Sequence, residues 1–140
     1  MAAASFTFSA AIPTPISKLF EILSDPSRIP TWMPHCHAAK CDGPLRKKSR
    51  VTLEFGRRSV EVTISEFTAP TSLGWTERKP RDGAQVFFQL DFGGGTTTLT
   101  VKEVWPTSGI RGWWGKLFGR RNAKKRFDGM VQNLRKIATA

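Results

Sequence analysis

The sequence predicts an α+β fold in which one curved antiparallel sheet wraps around a long C-terminal helix, with two short helices between the first and second strands. Residues 115–139 carry apolar side chains at helical spacing, on the face formed by Phe127, Met130, Val131, Leu134, Ile137 and Ala138. Residues 50–105 instead alternate apolar and polar side chains with the two-residue period of strands. Since an antiparallel sheet with one apolar face can receive one face of a helix, we expect the helix to lie against the sheet.

The first 34 residues predict one strand and two short helices. Residues 5–12 alternate apolar and polar side chains, which is typical of a strand with one buried face. Thr14 is placed to cap a helix whose first residue is Pro15, and the apolar stripe of that helix is Ile16, Leu19, Phe20 and Leu23. A second start at 24–26 predicts a turn or two ending at 32–33, because the prolines at 30 and 34 limit the helix.

Six further strands are predicted between the short helices and the long helix. They cover residues 38–42, 50–55, 60–65, 73–75, 86–92 and 99–105. Turns are predicted at Gly43-Pro44, Gly56-Arg57, Arg81-Asp82-Gly83 and Gly93-Gly94-Gly95. Consecutive hairpins exclude a parallel doubly wound sheet. Because the sequence has no repeat, linker or low-complexity segment, we expect a single domain over residues 1–140.

Composition predicts a soluble protein with a substantial core. The 140 residues include ten Phe and five Trp, more aromatic bulk than a minimal core needs. No run approaches the roughly 20 apolar residues of a membrane span, and the N-terminus does not resemble a signal peptide. Two cysteines, Cys36 and Cys41, are too few for a disulfide scaffold, so free thiols are expected. We expect a cytoplasmic protein and leave peripheral contact with a membrane open.

The net charge of +11 is concentrated at the start of the long helix. Residues 111–126 hold seven cations and no acid, and removing these seven charges leaves +4 for the rest of the chain. Such a run favours an anionic partner, which could be a membrane surface, a nucleic acid or an acidic protein. The alternative is a helix face that is only solvated.

Several segments together resemble the SRPBCC, or START-like, superfamily, whose fold is called the helix-grip fold. The segments are 13–23 followed by DPSRIPTWMP at 25–34, Leu73-Gly74-Trp75, the strand at 97–100, and a last helix ending in Asn133-Leu134-Arg135-Lys136. The superfamily includes the birch-pollen allergen family, polyketide cyclase/dehydrase-type proteins and ubiquinone-binding START-like proteins. The resemblance implies a seven-stranded antiparallel sheet around the C-terminal helix, with an apolar cavity between them that opens near the short helices.

The apolar residues of these elements are candidates for the cavity wall. A cavity that binds a small molecule needs an apolar lining with a few polar groups to orient its ligand. The candidates are Leu19, Trp32, Met33, Leu53, Phe55, Val62, Ile64, Trp75, Phe88, Leu90, Phe127, Met130, Val131 and Leu134. The alternative is that these side chains simply pack the core, because apolar periodicity indicates burial and not empty space.

Five polar residues are candidates for the cavity. Glu66, Glu77 and Glu103 share the phase of the apolar residues on their strands, so each could point inward and orient a ligand or move a proton. The alternative is a bulge or strand end that returns the carboxylate to water. His35 and His37 are expected near the cavity mouth or on the surface. Their spacing to Cys36 and Cys41 matches no standard zinc motif, so we assign no metal and no cofactor.

The basic segment has the composition of a membrane-interface segment. Aromatic residues interleaved with cations suit the headgroup level of an anionic membrane. The residues assigned to a membrane or other anionic partner are Arg111, Trp113, Trp114, Lys116, Arg120, Arg121, Lys124 and Lys125. Nucleic acid is not expected, because no aromatic platform on a strand and no helix-turn-helix pattern is present.

Three functions are compatible with the sequence. The first is a binding protein, a monomer or weak dimer, that sequesters a small hydrophobic or lipid-like ligand in a cavity between sheet and helix. The second, implied by the resemblance, is a polyketide cyclase/dehydrase-type enzyme with an inward Glu or His as the acid or base. The third is a regulatory protein that docks to a membrane or an acidic partner through residues 111–126. A cavity without a buried acid favours the first, a buried acid in the cavity favours the second, and a filled core favours the third.

Overall fold

The computed structural model describes residues 3–77, 84–106 and 111–139, and the side chains of 5–77, 84–105 and 120–138. Strand β1 (Ala3–Ile12) is followed by α1 (Ile16–Leu23), a 3₁₀ turn (Pro26–Arg28) and α2 (Ile29–Trp32). Strands β2 (Ala38–Cys41), β3 (Arg50–Phe55), β4 (Arg58–Thr68), β5 (Ser72–Glu77), β6 (Gln85–Gly93) and β7 (Thr96–Pro106) come next, and α3 (Arg111–Thr139) ends the chain. The predicted α+β fold class and order of elements are confirmed.

The seven strands form one antiparallel sheet in the order β1-β7-β6-β5-β4-β3-β2. All neighbours except β1 and β7 are consecutive in the chain, so most pairs are hairpins. The first strand pairs with the last over ten residues, from Ala3 opposite Pro106 to Ile12 opposite Thr97. This pairing brings the start of the chain beside the strand that leads into α3.

The core lies between one face of this sheet and the helices. Among the described side chains of α3, the predicted Phe127, Met130, Val131 and Leu134 are buried together with Ala123, whereas the predicted Ile137 and Ala138 are half-buried. The helix packs against β1 and α2. The rings of Phe8 on β1 and Phe127 on α3 stack with centroids 5.6 Å apart. Complete burial of a side chain such as Leu134 stabilises the fold by about 1.5–3 kcal/mol, so this stripe holds α3 on the sheet.

Thr14 does not cap α1, and that prediction is wrong. The helix begins at Ile16, with Pro15 in extended conformation before it and no side-chain cap. Thr14 is instead buried in a tight turn: its N–H donates to the Ile12 carbonyl at 2.8 Å, and its carbonyl accepts from Thr97 Oγ1 at 2.7 Å. The turn ties Thr14 to β7 instead of directing its hydroxyl at the amides of α1.

Most other predicted boundaries lie within three residues of the observed ones, but α3 begins at Arg111, four residues before the predicted start at Gly115. Asp25 caps the 3₁₀ turn, because its Oδ1 accepts from the Ser27 N–H at 3.0 Å. The two-residue turn at Gly56-Arg57 joins β3 to β4, and Gly56 has a positive φ of 59°, a conformation that glycine adopts without strain. Both cysteines are free. The predicted turn at 81–83 lies outside the described residues.

Within the described part of the chain, every helix is too short or too polar to cross a membrane.

Candidate functional site

A cavity of about 440 Å³ lies between the sheet and α3, beside the segment that follows α2. Most of its wall is apolar: Met33, Pro34, Leu53, Phe55, Val60, Val62, Trp75, Val86, Trp105 and Met130. Its polar lining consists of His35, Arg58, Glu77, Glu103, Asn122, Lys125 and Arg126. A volume of this size is within the range of small-molecule sites, about 300–1,000 Å³.

The strand register places the sheet wall of the cavity. Leu53 on β3 lies opposite Val60 on β4. Across the next three strands, Trp75, Val86 and Glu103 form one row, because Trp75 pairs with Val86 and Val86 pairs with Glu103. Side chains in one row of an antiparallel sheet point to the same face. Glu103 therefore projects toward α3 in line with the apolar wall.

Aromatic packing closes one side of this space. The ring of Phe88 lies between two tryptophans, with centroids 5.7 Å from Trp32 and 5.1 Å from Trp75. Trp32 and Phe88 are fully buried. Beyond Trp75 the lining continues with Leu53, Phe55, Val60, Val62, Val86 and Trp105.

Glu103 forms a buried ion pair across the cavity with α3. Its Oε1 accepts from Arg126 Nη2 at 2.6 Å and from Trp105 Nε1 at 2.9 Å, and the Arg126 guanidinium carbon lies 5.7 Å from the centre of the Trp105 ring. The Glu103 side chain is 8% exposed and that of Arg126 is 36% exposed. A buried carboxylate is costly unless it is paired and hydrogen-bonded. Arg126 and Trp105 meet this requirement, so the ion pair fastens β7 to α3.

The exposed residues of the lining mark the mouth of the cavity. They are His35, Arg58, Asn122 and Lys125, whereas Glu103 is buried and Glu77 is half-buried. Arg58 follows the β3–β4 turn, and its guanidinium lies 5.9 Å from the ring centre of Phe55. The mouth is thus formed by the β3–β4 hairpin on one side and by α3 on the other.

The segment after α2 is held against α3 beside the mouth. The Asn133 side chain donates to the Trp32 carbonyl at 3.3 Å. A Cβ atom on Gly129 would lie 3.2 Å from Pro34 Cγ, so a larger residue there would require Pro34 to shift by a few tenths of an ångström. The next residue, His35, has a positive φ of 65°, which is uncommon for a residue other than glycine. The turn at His35 leads the chain away from the cavity into β2.

Six of the fourteen predicted wall residues line the cavity: Met33, Leu53, Phe55, Val62, Trp75 and Met130. The other eight lie in the core and are not among the lining residues: Leu19, Trp32, Ile64, Phe88, Leu90, Phe127, Val131 and Leu134. Both groups have the same apolar periodicity. The difference between them lies in whether a neighbouring element fills the space in front of the side chain.

Three of the five predicted polar residues line the cavity, namely His35, Glu77 and Glu103. Glu66 does not. A β-bulge between Ile64 and Glu66 changes the phase of β4, so that Phe67 turns inward onto Phe20, with ring centroids 5.3 Å apart, and Glu66 accepts from Thr68 Oγ1 at 2.6 Å. His37 is exposed, and its Nε2 lies 3.3 Å from the Gly56 carbonyl oxygen.

The basic segment is described only in part. The side chains of Arg111, Trp113, Trp114 and Lys116 lie outside the described residues. Arg120, Arg121, Lys124 and Lys125 are exposed on α3. Two of these cations cover the Phe8 ring, with the Arg120 guanidinium at 5.4 Å and the Lys124 ammonium at 5.9 Å, and Lys124 also pairs with Asp128 at 2.6 Å.

The described side chains contain no cluster of three or more His, Cys, Asp or Glu residues that could hold a metal ion. Burial raises the pKa of both thiols above the ordinary value of 9.0, with the charge of Glu54 adding to the effect at Cys36 and that of Asp42 at Cys41. Only a thiolate is strongly nucleophilic. Neither cysteine is therefore suited to nucleophilic chemistry at neutral pH.

A larger surface groove, about 730 Å³, lies between the 3₁₀ turn and strands β2 to β4. Its lining is largely polar and includes Asp25, Lys40, Asp42, Arg50 and Glu61. Such a surface does not enclose an apolar ligand, so the smaller cavity is the stronger candidate.

Eight lining residues are not among the predicted cavity residues: Pro34, Arg58, Val60, Val86, Trp105, Asn122, Lys125 and Arg126. The helical spacing of α3 contains a signal for two of them. Asn122, Arg126 and Met130 recur every four residues and so lie along one line of the helix. Met130 belongs to the predicted buried face of the helix. The four-residue spacing therefore places Arg126 next to Met130, at the edge of that face.

A family model described as Polyketide cyclase / dehydrase and lipid transport matches residues 3–139. A comparison with curated proteins found no match. Among solved structures, the chain is similar to a START superfamily protein from Mycobacterium smegmatis, with a TM-score of 0.75 and 12% identity over 96% of this chain and 97% of that one.

Two further solved structures with the same fold are longer than this chain. The di-domain ARO/CYC protein StfQ of the steffimycin biosynthetic pathway has a TM-score of 0.80 at 8% identity, over 98% of this chain and 51% of StfQ. DynU16, from the dynemicin biosynthetic locus, has a TM-score of 0.71 at 17% identity, over 93% of this chain and 46% of DynU16. The chain thus spans about half the length of each. Identities this low show a shared fold alone.

Proposed function

We propose that this chain, which belongs to the polyketide cyclase/dehydrase and lipid transport family, binds a small apolar molecule in the cavity between the sheet and α3. The START-like resemblance predicted from the sequence is confirmed by that family match and by the START superfamily neighbour. The family description covers both enzymes and lipid carriers, so the choice between them depends on the cavity itself.

The observation that carries the proposal is a cavity of about 440 Å³ whose wall is mostly apolar. Covering about 300 Å² of apolar ligand surface would contribute roughly 7 kcal/mol before the costs of association are subtracted. Micromolar binding requires about 8.2 kcal/mol net, so contacts beyond this apolar term must also contribute. A cavity with these walls therefore suits sequestration of a lipid-like molecule.

The main ion pair of the cavity supports binding over chemistry. Glu103 Oε1 accepts hydrogen bonds from both Arg126 and Trp105. These contacts join two elements of the fold, and no nucleophile is paired with a base among the described lining residues. The Glu103 carboxylate therefore has a structural role, which is to join β7 to α3.

A titration with Nile red, an uncharged apolar dye, tests the proposal. We expect micromolar binding by the wild-type protein. Val86→Phe fills part of the cavity and should weaken binding about tenfold or more. Val104→Phe is the matched control, because Val104 follows Glu103 directly and points to the opposite face of the sheet. Absence of saturable binding by the wild-type protein, or equal affinities for the two variants, would contradict the proposal.

One observation favours a second candidate, the cyclase/dehydrase-type enzyme. Glu103 is a buried carboxylate in the cavity wall, and a buried acid in the cavity is the feature expected of the enzyme. Its second oxygen has no hydrogen-bond partner among the described residues. A carboxylate in an apolar cavity can act as a general base toward an acidic C–H group. Deuterium uptake beside the carbonyl of an aryl alkyl ketone in D₂O measures this activity. Catalysed uptake that Glu103→Gln abolishes without loss of Nile red binding would support the enzyme, and no catalysed uptake by the wild-type protein would contradict it.

A further inference from the structure

The exposed residues of the cavity lining include two cations and no carboxylate. The exposed lining residues are His35, Arg58, Asn122 and Lys125. Two of these four are permanent cations, and none is an acid. Arg58 approaches from the β3–β4 hairpin and Lys125 from α3, so the two cations belong to the two elements that form the mouth.

Neither of these two cations takes part in the ion pair of the lining. Arg126 is paired with the buried Glu103 at 2.6 Å. Neither Arg58 nor Lys125 has an ion-pair partner among the described residues. The whole lining contains three permanent cations and two carboxylates, so its formal charge is positive even with Glu77 counted. A ligand that enters this mouth meets a net positive surface.

The Arg58 side chain also lies close to the apolar wall. Its guanidinium carbon is 5.9 Å from the centre of the Phe55 ring, and Phe55 is itself part of the lining. An arginine that packs its stem and guanidinium over an aromatic ring holds its charge at the border between apolar surface and water. This is the position in which a charged headgroup of a partly buried amphiphile would lie.

We infer that the ligand is an amphiphile with one anionic group, of the fatty-acid class, whose carboxylate is bound by Arg58 and Lys125 at the mouth. The assignment rests on the proposed binding of an apolar molecule in this cavity. The guanidinium can donate two parallel hydrogen bonds to a carboxylate, and Lys125 adds a second positive charge. Because the mouth is exposed, the headgroup keeps part of its hydration, and the cost of burying its charge is small. The apolar chain lies against Leu53, Val62 and Met130.

The experiment compares dodecanoate with dodecan-1-ol, which has the same chain length and no charge. Affinities are measured by displacement of Nile red from the wild-type protein and from two double variants. Arg58→Gln with Lys125→Gln removes both cations of the mouth. Arg57→Gln with Lys102→Gln removes the same number of charges from exposed residues outside the lining, and so controls for attraction by the overall charge of +11.

We expect dodecanoate to bind the wild-type protein about tenfold more tightly than dodecan-1-ol. The mouth variant should lose this preference while keeping its affinity for dodecan-1-ol, and the control variant should keep both. Equal wild-type affinities for acid and alcohol would overturn the inference and leave the apolar cavity intact. Equal loss of dodecanoate affinity in both double variants would also overturn it, because the effect would then come from overall charge. Displacement by neither compound would overturn this inference alone, whereas absence of Nile red binding by the wild-type protein would refute the proposed function together with it.

Discussion

Glu103 on β7 and Arg126 on α3 form a hydrogen-bonded ion pair, 2.6 Å from Oε1 to Nη2, that joins the sheet to the long helix. Removing one partner of such a pair leaves the other charge without compensation. For fully buried pairs this costs about 3–5 kcal/mol. The cost here should be lower, because the Arg126 side chain is 36% exposed and keeps part of its hydration.

We therefore predict that Arg126→Met lowers the free energy of unfolding by about 2–3 kcal/mol, measured by urea denaturation. Arg121→Met, an exposed residue of the same helix, should change it by about 0.5 kcal/mol or less. The double variant Glu103→Met with Arg126→Met should be more stable than Arg126→Met alone, since it leaves no buried charge unpaired. A double variant that is less stable than the single one would refute this explanation.

Because Gly129 lies close to Pro34, the effect of a substitution at Gly129 on stability should depend on the residue at position 34. Replacing glycine by alanine inside a helix normally stabilises by about 0.5–1 kcal/mol. A Cβ on Gly129 would stand 3.2 Å from Pro34 Cγ and 3.8 Å from Pro34 Cβ, so the Pro34 ring should oppose this gain. We expect Gly129→Ala to stabilise by the full amount only when Pro34→Ala is also present. The measurement is a double-mutant cycle by urea denaturation, and equal effects of Gly129→Ala in both backgrounds would show that the contact carries no energy.

The raised thiol pKa values predict how stability depends on pH. Burial, with the charge of Glu54, raises the pKa of the Cys36 thiol above the ordinary value of 9.0. The folded state therefore holds the thiol proton more tightly than the unfolded state does. Stability from this group is fully present below the unfolded-state pKa and decreases as the pH rises toward the folded-state pKa. We expect Cys36→Ala to reduce the loss of unfolding free energy as the pH rises above about 9. Unchanged pH dependence in Cys36→Ala would contradict this prediction, and Cys41→Ala provides the comparison at a more exposed thiol.

Membrane contact by the basic segment stays a prediction that vesicle sedimentation can test. Wild-type protein should sediment with vesicles that contain phosphatidylserine and not with pure phosphatidylcholine, because cations on the helix attract anionic headgroups. Arg120→Gln with Arg121→Gln should reduce sedimentation. Arg46→Gln with Lys47→Gln, which removes the same charge from an exposed loop, should not. Sedimentation that is independent of anionic lipid would exclude this role.

The order of elements was predictable because each element has a local periodic signal. Phe127, Met130, Val131 and Leu134 recur at helical spacing, and all four are buried in α3. The alternation of Val60, Val62 and Ile64 likewise identified β4. The same signal misled at Glu66, because a single extra residue in a β-bulge changes the face of every residue that follows. Neither composition nor alternation reveals such a bulge.

By itself, the sequence determined which residues leave water, since burial follows from hydrophobic periodicity along the chain. Only the tertiary structure decided where the space between them stays open. Trp32 and Trp75 are both buried, yet Trp32 packs edge-on against Phe88 and lies outside the lining, whereas Trp75 faces the cavity. Likewise, the sequence shows Arg126 only as one of seven cations in a basic run. The packing of α3 on β7 places it against Glu103, 23 residues away in sequence. Void space and ion pairs depend on distances between elements, and a one-dimensional pattern does not contain those distances.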